Sequence, residues 1–232
     1  METVKRNAAK SALEVLPSSG IIGLGSGSTV AFFAEELGKL VQKGADFHVI
    51  PSSYQAYQLA LQYDIPLTNL DREPQVEMTV DGADEVDKEL NLIKGGGGAL
   101  LREKVVASAS KRLIIIVDES KLVSHLGENF LIPVEVLPFS LGIVKRKIQS
   151  MGITPVLRVA EKKMGPVVTD NGNFLLDLEF AEPLQCPLEL SIDLKMIPGV
   201  IETGLFVNMT DEVHVGTEEG AYVLDNYGDR TT

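Results

Sequence analysis

Residues 76–104 read VEMTVDGADEVDKELNLIKGGGGALLREK. Apolar residues alternate up to an acidic turn, a lysine then precedes four glycines, and a run typical of a helix follows. Open α/β sheets carry such strand, loop and helix successions, and they bind ligands at the carboxyl ends of their strands. The stretch therefore predicts a strand that leads into a ligand-binding loop.

The first half of the chain alternates strand patterns with helix patterns. The predicted strands cover residues 21–22, 47–50, 65–68, 76–80 and 112–117, and the predicted helices cover residues 3–16, 30–41, 54–63 and 99–110. Ser52 and Ser53 are candidate caps of the third helix. Because strands that alternate with helices form parallel sheets with right-handed crossovers, we predict an α/β fold with a doubly wound, Rossmann-like parallel sheet.

The pattern changes after residue 121, and residues 123–129 are a plausible domain boundary. Strands at 132–136, 153–159, 174–180 and 200–206, with helices at 139–151 and 188–196, give the β-α-β-β-α-β order of a ferredoxin-like α+β domain. Two last strands, 212–215 and 221–224, are expected to return to the first sheet. We predict a Rossmann-like catalytic domain of residues 1–128 plus 207–232 and a smaller ferredoxin-like domain of residues 129–206.

The composition is that of an ordinary globular protein. The 232 residues are 44% hydrophobic and 23% charged, and 21 Lys and Arg against 33 Asp and Glu give a formal net charge of -12. This charge disfavours nucleic acid and anionic membrane as partners, so a phosphate-bearing ligand needs a local site. Cys186 is the only cysteine, which suits a reducing compartment. Since neither a membrane-spanning run nor a signal-peptide pattern is present, we expect a cytoplasmic protein.

The loop of residues 25–29 follows a predicted strand and opens a helix. Its amides, the helix N-terminus and the Ser28 and Thr29 hydroxyls suit a bound anion such as a single phosphate. It matches neither common nucleotide loop, because it lacks the P-loop lysine and Ser28 stands in place of the third dinucleotide-loop glycine. The alternative is a tight turn whose Ser or Thr merely caps the helix.

Asp81 and Asp84 lie three residues apart in a glycine-containing turn at the end of a predicted strand. Two carboxylates at this spacing suit an acid and base pair, because repulsion favours one protonated and one ionised group. An exposed acidic turn, extended into solvent by Glu85 and Asp87, is the plainer alternative. A divalent-metal site is a third, although the EF-hand pattern is not matched.

Two lysines accompany these carboxylates. Lys94 precedes four glycines, a run that lets backbone amides approach a ligand while the ammonium faces an oxyanion. The alternative is a flexible connector with a surface charge. Lys121 follows the 112–117 strand, where it either supplies charge to a substrate or offsets Asp118 and Glu119.

Glu103 lies about one turn into the helix that follows the glycines. At 100° per residue it shares its face with Ala99, Val106, Ala107 and Ser110. A carboxylate among small and apolar side chains is expected to have a raised pKa, which favours a general base near neutral pH. Complementing the helix dipole in the first turn is the alternative.

Taken together, these motifs resemble ribose-5-phosphate isomerases of the type A family. The resemblance rests on GSGST at 25–29, DGADE at 81–85, KGGG at 94–97 with REK at 102–104, and Lys121. PVEVLP at 133–138, PGV at 198–200 and GLF at 204–206 extend it over nearly the whole chain. This sequence departs from the family pattern at Gly98, where alanine is common, and at Ser26 and Leu101, where threonine is common. Leu101 removes a hydroxyl near the expected site.

The resemblance implies interconversion of ribose 5-phosphate and ribulose 5-phosphate through an enediolate, with no metal and no organic cofactor. It implies that Glu103 moves the proton between C1 and C2 and that Asp81 assists proton movement at the sugar oxygens. Asp84 would help to bind and open the ring, and Lys94 would stabilise the enediolate. The implied substrate-binding residues are Ser26, Gly27, Ser28, Thr29, Asp81, Gly82, Ala83, Asp84, Lys94, Gly95, Gly96, Gly97 and Lys121. The family likeness also suggests a homodimer or homotetramer.

Other activities on similar scaffolds stay open at this point. They are an amino-sugar-phosphate isomerase or deaminase, a coenzyme A transferase with a nucleophilic glutamate, and a non-catalytic sugar-phosphate sensor.

Overall fold

The computed structural model describes residues 1–182 and 184–225. The helices are α1 (Glu2–Glu14), α2 (Ser28–Gln42), α3 (Tyr54–Gln62), α4 (Leu100–Ser108), α5 (Leu141–Ser150) and α6 (Pro187–Lys195), with 3-10 turns at Glu119–Lys121 and Pro138–Ser140. The strands are β1 (Gly20–Leu24), β2 (Phe47–Pro51), β3 (Met78–Asp81), β4 (Glu85–Val86), β5 (Leu92–Ile93), β6 (Leu113–Asp118), β7 (Ile132–Val136), β8 (Thr154–Leu157), β9 (Phe174–Glu179), β10 (Val200–Thr203), β11 (Leu205–Phe206), β12 (Glu212–Gly216) and β13 (Ala221–Asp225). None of these described helices is long and apolar enough to cross a membrane.

The described chain forms two compact units. The first comprises Met1–Ala83, Arg102–Leu122 and residues 208–225, and the second comprises Asp84–Leu101 and Val123–Val207.

The first unit is built on a six-stranded sheet with the order β13-β12-β6-β3-β1-β2. All neighbours are parallel except β12 and β13, which form an antiparallel pair at one edge. The chain runs from β1 outward to β2 and then to β3 on the other side of β1, so the strand order reverses between β1 and β3. This doubly wound arrangement confirms the predicted fold class, and the return of the last two strands to the first sheet is also confirmed.

The core of the first unit explains why these elements form. The five residues from Leu113 to Val117 are all buried, as expected for a parallel strand covered on both faces. Ala8 and Ala12 of α1 and Phe33 and Leu37 of α2 lie in the same apolar cluster as Ile114. Full burial of a large apolar side chain contributes about 1.5–3 kcal/mol, so this cluster is the main stabilising feature of the unit.

Two local predictions for the first unit have different outcomes. The capping prediction is confirmed, because the Ser53 side chain accepts a hydrogen bond from the Ala56 amide at 3.0 Å at the start of α3. The predicted strand at 65–68 is wrong, since only a single bridge joins Val49 to Leu67 there. Pro66 has no amide hydrogen to donate, which limits the pairing of this segment.

The second unit contains a four-stranded antiparallel sheet with the order β10-β7-β9-β8. Numbered along the unit, the order is 4-1-3-2, with α5 and α6 in the two crossover positions of the β-α-β-β-α-β succession. Val134, Val144, Leu176 and Leu194 belong to one buried apolar cluster of this unit. The predicted ferredoxin-like arrangement is therefore confirmed.

Residues 84–101 form a small feature that the sequence did not reveal. β4 pairs with β5, and β5 pairs with β11, giving a three-stranded antiparallel sheet. Ile93 packs in the apolar cluster of the second unit, which is why the segment belongs to that unit and not with residues 1–83. The predicted domain division stays a prediction, and its last residues, 226–232, lie outside the described part of the chain.

Candidate active site

The glycine loop after β1 is fixed against Asp81. A Cβ atom at Gly25 would lie 2.1 Å from Asp81 Oδ1, so only glycine allows this approach. The Ser26 amide donates to Asp81 Oδ1 at 3.0 Å, and the Gly27 amide donates to Gln55 Oε1 at 2.9 Å. The loop and the carboxyl end of β3 are therefore held together at the point where the strand order of the first sheet reverses, which is where such sheets bind ligands.

The start of α2 has the properties of an anion site. Its N-cap is Gly27, with φ at 107°, and no side-chain hydrogen bond caps the helix. The interpretation of Ser28 or Thr29 as a cap is therefore wrong. A glycine cap leaves the first-turn amides for a ligand, where the helix dipole favours negative charge. Lys5 adds a positive charge nearby, since its Nζ donates to Ser28 Oγ at 2.7 Å.

Asp81 ends β3 and is buried. Its Oδ1 also accepts the Gly82 amide, at 2.7 Å, so two backbone donors orient the carboxylate. Behind the loop, Ser26 Oγ lies 2.6 Å from Ser53 Oγ. Gly82 and Ala83 continue the turn, and both residues are half-buried. The geometry holds one carboxylate in a set direction at a strand end, which suits proton transfer to a bound polar group.

Glu103 lies in the first turn of α4 and is only 5% exposed. Val106 and Ala107, predicted to share its face, are buried as well. Close packing of α4 depends on Gly23 in β1, where a Cβ atom would lie 2.6 Å from Val106 Cγ1. The burial of Glu103 and its first-turn position are compatible with both interpretations, and its role as a general base stays a prediction.

Lys121 ends the 3-10 turn that follows β6, and it is half-buried. The Asp118 carboxylate accepts the Ser120 amide at 3.0 Å and so caps this turn. Asp118 therefore has a structural role of its own, and substrate binding by Lys121 stays a prediction.

Lys94 belongs to the second unit and is 3% exposed, so the surface-charge interpretation is wrong. Its Nζ lies 5.4 Å from the centroid of the Phe206 ring, a cation–π arrangement. Its amide donates to the Gly204 carbonyl at 2.9 Å, and a Cβ atom at Gly204 would lie 2.3 Å from the Lys94 carbonyl oxygen. Lys94 is thus an ordered, buried cation.

The glycine run after Lys94 is also ordered by specific contacts. The Gly96 amide donates to Asp84 Oδ2 at 2.7 Å. Gly95 and Gly98 have φ values of 110° and 79°, which glycine adopts without strain. The flexible-connector interpretation is therefore wrong. Gly96 and Gly97 are exposed, so their backbone is accessible to a ligand.

Glu85 and Asp87 do not extend an acidic turn into solvent, and that interpretation is wrong. Glu85 is buried and accepts the Gly127 amide at 2.6 Å and the Asn129 amide at 2.5 Å. Asp87 is also buried, and it accepts the Asn91 amide at 2.8 Å. Burial raises the pKa of the Asp87 carboxyl, although the Asn91 hydrogen bonds oppose this change.

The sequence did not reveal several residues that hold the predicted binding loops. Gln55, Lys5 and Arg158 contact the glycine segments from 28, 23 and 62 residues away in the chain, a separation for which sequence spacing gives no signal. Within residues 1–182 and 184–225, no group of three or more His, Cys, Asp or Glu is placed to hold a metal ion.

Comparison with known proteins gives a consistent result. The profile of the family described as ribose 5-phosphate isomerase A (phosphoriboisomerase A) matches residues 48–220. Ribose-5-phosphate isomerase A of Thermococcus kodakarensis is 46% identical over 222 residues, covering 95% of this chain and 96% of the relative. Ribose-5-phosphate isomerase of Dictyostelium discoideum is 46% identical over 225 residues, covering 95% and 96%.

Solved structures agree with these relatives. Ribose 5-phosphate isomerase A from Methanocaldococcus jannaschii aligns with a TM-score of 0.92 at 42% identity, covering 97% of this chain and 99% of the other. A D-ribose-5-phosphate isomerase in complex with phospho-erythronic acid aligns with a TM-score of 0.93 at 42% identity, covering 97% and 98%. Since sequence and structure agree over nearly the full length, the chain belongs to the ribose 5-phosphate isomerase A family.

Proposed function

We propose that this chain interconverts D-ribose 5-phosphate and D-ribulose 5-phosphate through an enediolate, with its own side chains performing the proton transfers. The observation that carries the proposal is the 46% identity, over 95% of the chain, to a relative named ribose-5-phosphate isomerase A. The residues predicted to act are present in DGAD at 81–84, KGGG at 94–97 and Glu103.

The reaction defines what these residues must do. A base removes the proton from C2 of the open-chain aldose and returns it to C1, while a second proton moves from the C2 hydroxyl to the C1 oxygen. Phospho-erythronic acid, bound in one related structure, carries a planar carboxylate that resembles the two-oxygen enediolate. An enzyme for this reaction therefore needs a carbon base, a group for the oxygen proton and a cation for the oxyanion.

Glu103 is the proposed carbon base. Its 5% exposure and its buried neighbours Val106 and Ala107 shield the carboxylate from bulk water, as a site of proton abstraction from carbon requires. Asp81 is the proposed partner for the oxygen proton, supported by the two amides that fix its direction.

Lys94 is the proposed stabiliser of the enediolate. A buried ammonium interacts more strongly with a developing negative charge than an exposed one does, because less water screens it. Asp84, held by the Gly96 amide, is proposed to bind the sugar hydroxyls and to assist ring opening. The exposed backbone of Gly96 and Gly97 supports their contact with the substrate.

The phosphate is proposed to bind at the start of α2, through residues 26–29. The glycine N-cap and the Lys5 ammonium beside Ser28 support this location in a chain of net charge -12. Lys121 is proposed as a further substrate contact.

Turnover of ribose 5-phosphate in excess EDTA, compared with turnover of unphosphorylated ribose, tests the substrate and the cofactor requirement together. We expect ketose formation from the phosphate ester alone and no loss in the chelator. Ammonia release from an amino sugar phosphate, or a covalent adduct on Glu103 with an acyl-coenzyme A, would indicate one of the other activities. Loss of turnover that added Mg²⁺ restores would contradict the proposed metal-free reaction.

We also propose that the chain acts in the cytoplasm as a homodimer or homotetramer. The single cysteine is compatible with a reducing compartment. Phe139 and Met196, 96% and 76% exposed, are large apolar side chains of the kind that interfaces cover. Light scattering coupled to size-exclusion chromatography gives the subunit number, and a monomer at micromolar concentration would contradict the proposal.

A further inference from the structure

Arg158 of the second unit connects an ion pair to the glycine run. It follows β8, and Asp177 lies in the neighbouring strand β9. Arg158 Nε donates to Asp177 Oδ2 at 2.8 Å, and Nη2 pairs with Oδ1 of the same carboxylate. The two side chains are only 16% and 17% exposed. This two-point geometry leaves the guanidinium with one defined orientation.

The remaining guanidinium nitrogen binds the backbone of the glycine run. Arg158 Nη1 donates to the Gly95 carbonyl at 2.8 Å and to the Gly96 carbonyl at 3.0 Å. These carbonyls belong to the two residues directly after Lys94, in a segment that carries no side chains of its own to hold it. One nitrogen therefore fixes two consecutive peptide planes of a chain that would otherwise have many accessible conformations.

The peptide group transmits this restraint to Asp84. Because a trans peptide is planar, its N–H points opposite to its C=O, so a Gly95 carbonyl held by Arg158 directs the Gly96 N–H away from Arg158. That N–H donates to Asp84 Oδ2 at 2.7 Å. By the same geometry, the Gly96 carbonyl directs the exposed Gly97 N–H away from the guanidinium.

We infer that Arg158, oriented by Asp177, is a positioning residue that fixes the glycine run so that Asp84 and the run's amides are preorganised for isomerisation. The inference rests on the proposed function for the reaction it serves. Arg158 touches no reacting atom in this assignment and acts through the Gly95 and Gly96 peptide groups.

The test compares Arg158→Lys with Arg146→Lys. Lysine keeps the charge and can pair with Asp177, but a single ammonium cannot span the carboxylate and two carbonyls in the arginine geometry. Arg146 is an exposed residue of α5 in the same unit and provides the matched control. Displacement of a positioned group by about 1 Å costs about a hundredfold, so we expect kcat for ribose 5-phosphate to fall by about tenfold to a hundredfold in Arg158→Lys, and to stay unchanged in Arg146→Lys.

Two further measurements separate positioning from general stability. The peptide covering residues 92–101 contains the Gly96 amide, and we expect its hydrogen exchange to be faster in Arg158→Lys while peptides from α5 and α6 stay protected. Guanidinium at millimolar concentration should partly restore kcat in Arg158→Ala, and Asp177→Asn should lower kcat less than Arg158→Lys because the arginine is retained.

The outcomes distinguish this inference from the proposed function. Unchanged kcat and unchanged exchange in Arg158→Lys, with active unsubstituted protein, would overturn the inference alone. Exchange that accelerates equally in every peptide would also overturn it, because Arg158 would then only support overall stability. Absence of isomerisation by the unsubstituted protein would overturn the proposed function and, with it, the assignment of Arg158 to that reaction.

Discussion

Replacing Gly25 with alanine tests whether the glycine loop and Asp81 form one rigid piece. The added Cβ atom would lie 2.1 Å from Oδ1, 2.2 Å from Cγ and 2.6 Å from Cα of Asp81, where ordinary contact begins at 3.4 Å. Rotation of the aspartate side chain cannot relieve the clash with its own Cα atom. The loop and the end of β3 must therefore separate, by about 1 Å if the overlap is shared between them.

The magnitude follows from the contacts that this separation breaks. Overpacking a closely packed site costs about 1–3 kcal/mol, and weakening a hydrogen bond to a charged group costs about 1.5–3 kcal/mol. The hydrogen bond from the Ser26 amide to Asp81 joins the loop to the strand end and is weakened when the two separate. The hydrogen bond from the Gly82 amide is kept, because Gly82 moves with Asp81. We expect a loss of about 4 kcal/mol in the free energy of unfolding, and a fall of about a hundredfold in kcat/KM because the carboxylate is misplaced.

Urea denaturation and ribose 5-phosphate turnover measure the two effects. Gly142→Ala is the matched control, because its Cβ atom would meet nothing within 4 Å and the residue lies in α5. Alanine is the better helix former, so the control should gain about 0.5–1 kcal/mol and keep full activity. Unfolding and kcat/KM values of Gly25→Ala that match those of the unsubstituted protein would refute the argument that this contact is rigid.

Two other predictions concern ionisable groups. Glu103→Gln should lower kcat by about 10²- to 10⁴-fold while calorimetry still detects sugar-phosphate binding, whereas Glu189→Gln, at an exposed first-turn position of α6, should leave kcat unchanged. Equal effects of the two substitutions would instead support a role in helix stability. Burial lowers the pKa of His214 from 6.5 despite its hydrogen bond to Glu212 at 3.2 Å. As the pH falls, the His214 ring therefore binds a proton at a higher pH in the unfolded chain than in the folded one. The contribution of His214 to the free energy of unfolding is complete above pH 6.5 and decreases as the pH falls below it. His214→Gln should flatten the pH dependence of the unfolding free energy in that range, and an unchanged profile would contradict the assignment.

The fold could be predicted from the sequence where an element is long enough to show a clear pattern of apolar residues. The continuous apolar run of β6 indicates a strand covered on both faces, and the succession of elements after residue 131 indicates the ferredoxin-like order. The sequence could not predict the three-stranded sheet, because β4, β5 and β11 are two residues long and show no periodicity. Their pairing joins residues 85–93 to residues 205–206, a long-range contact that local spacing does not encode.

The same contrast between local patterns and long-range contacts applies to the residues of the candidate site. Ser28, Asp81 and Glu103 could be proposed as candidates because each has its distinctive neighbours within a few positions in the sequence. Gln55 and Arg158 were not, since each supports a glycine segment through a contact between distant parts of the chain. Candidate residues that lie in short motifs are thus easier to predict than the residues that hold those motifs in place.

The carboxylates of the acidic stretch after β3 differ in the hydrogen bonds that they make, although their side chains are chemically alike. Glu85 accepts a backbone amide on each carboxylate oxygen, and Asp87 likewise uses both oxygens within its own turn. A buried carboxylate whose two oxygens both accept hydrogen bonds from the protein has little capacity left for a ligand. The contacts of both residues hold β4 and the turn that leads into β5, the strand directly before Lys94. Four carboxylates within seven residues are therefore not one acidic cluster: Glu85 and Asp87 hold the chain, whereas Asp81 and Asp84 stay the carboxylates predicted to act on the substrate.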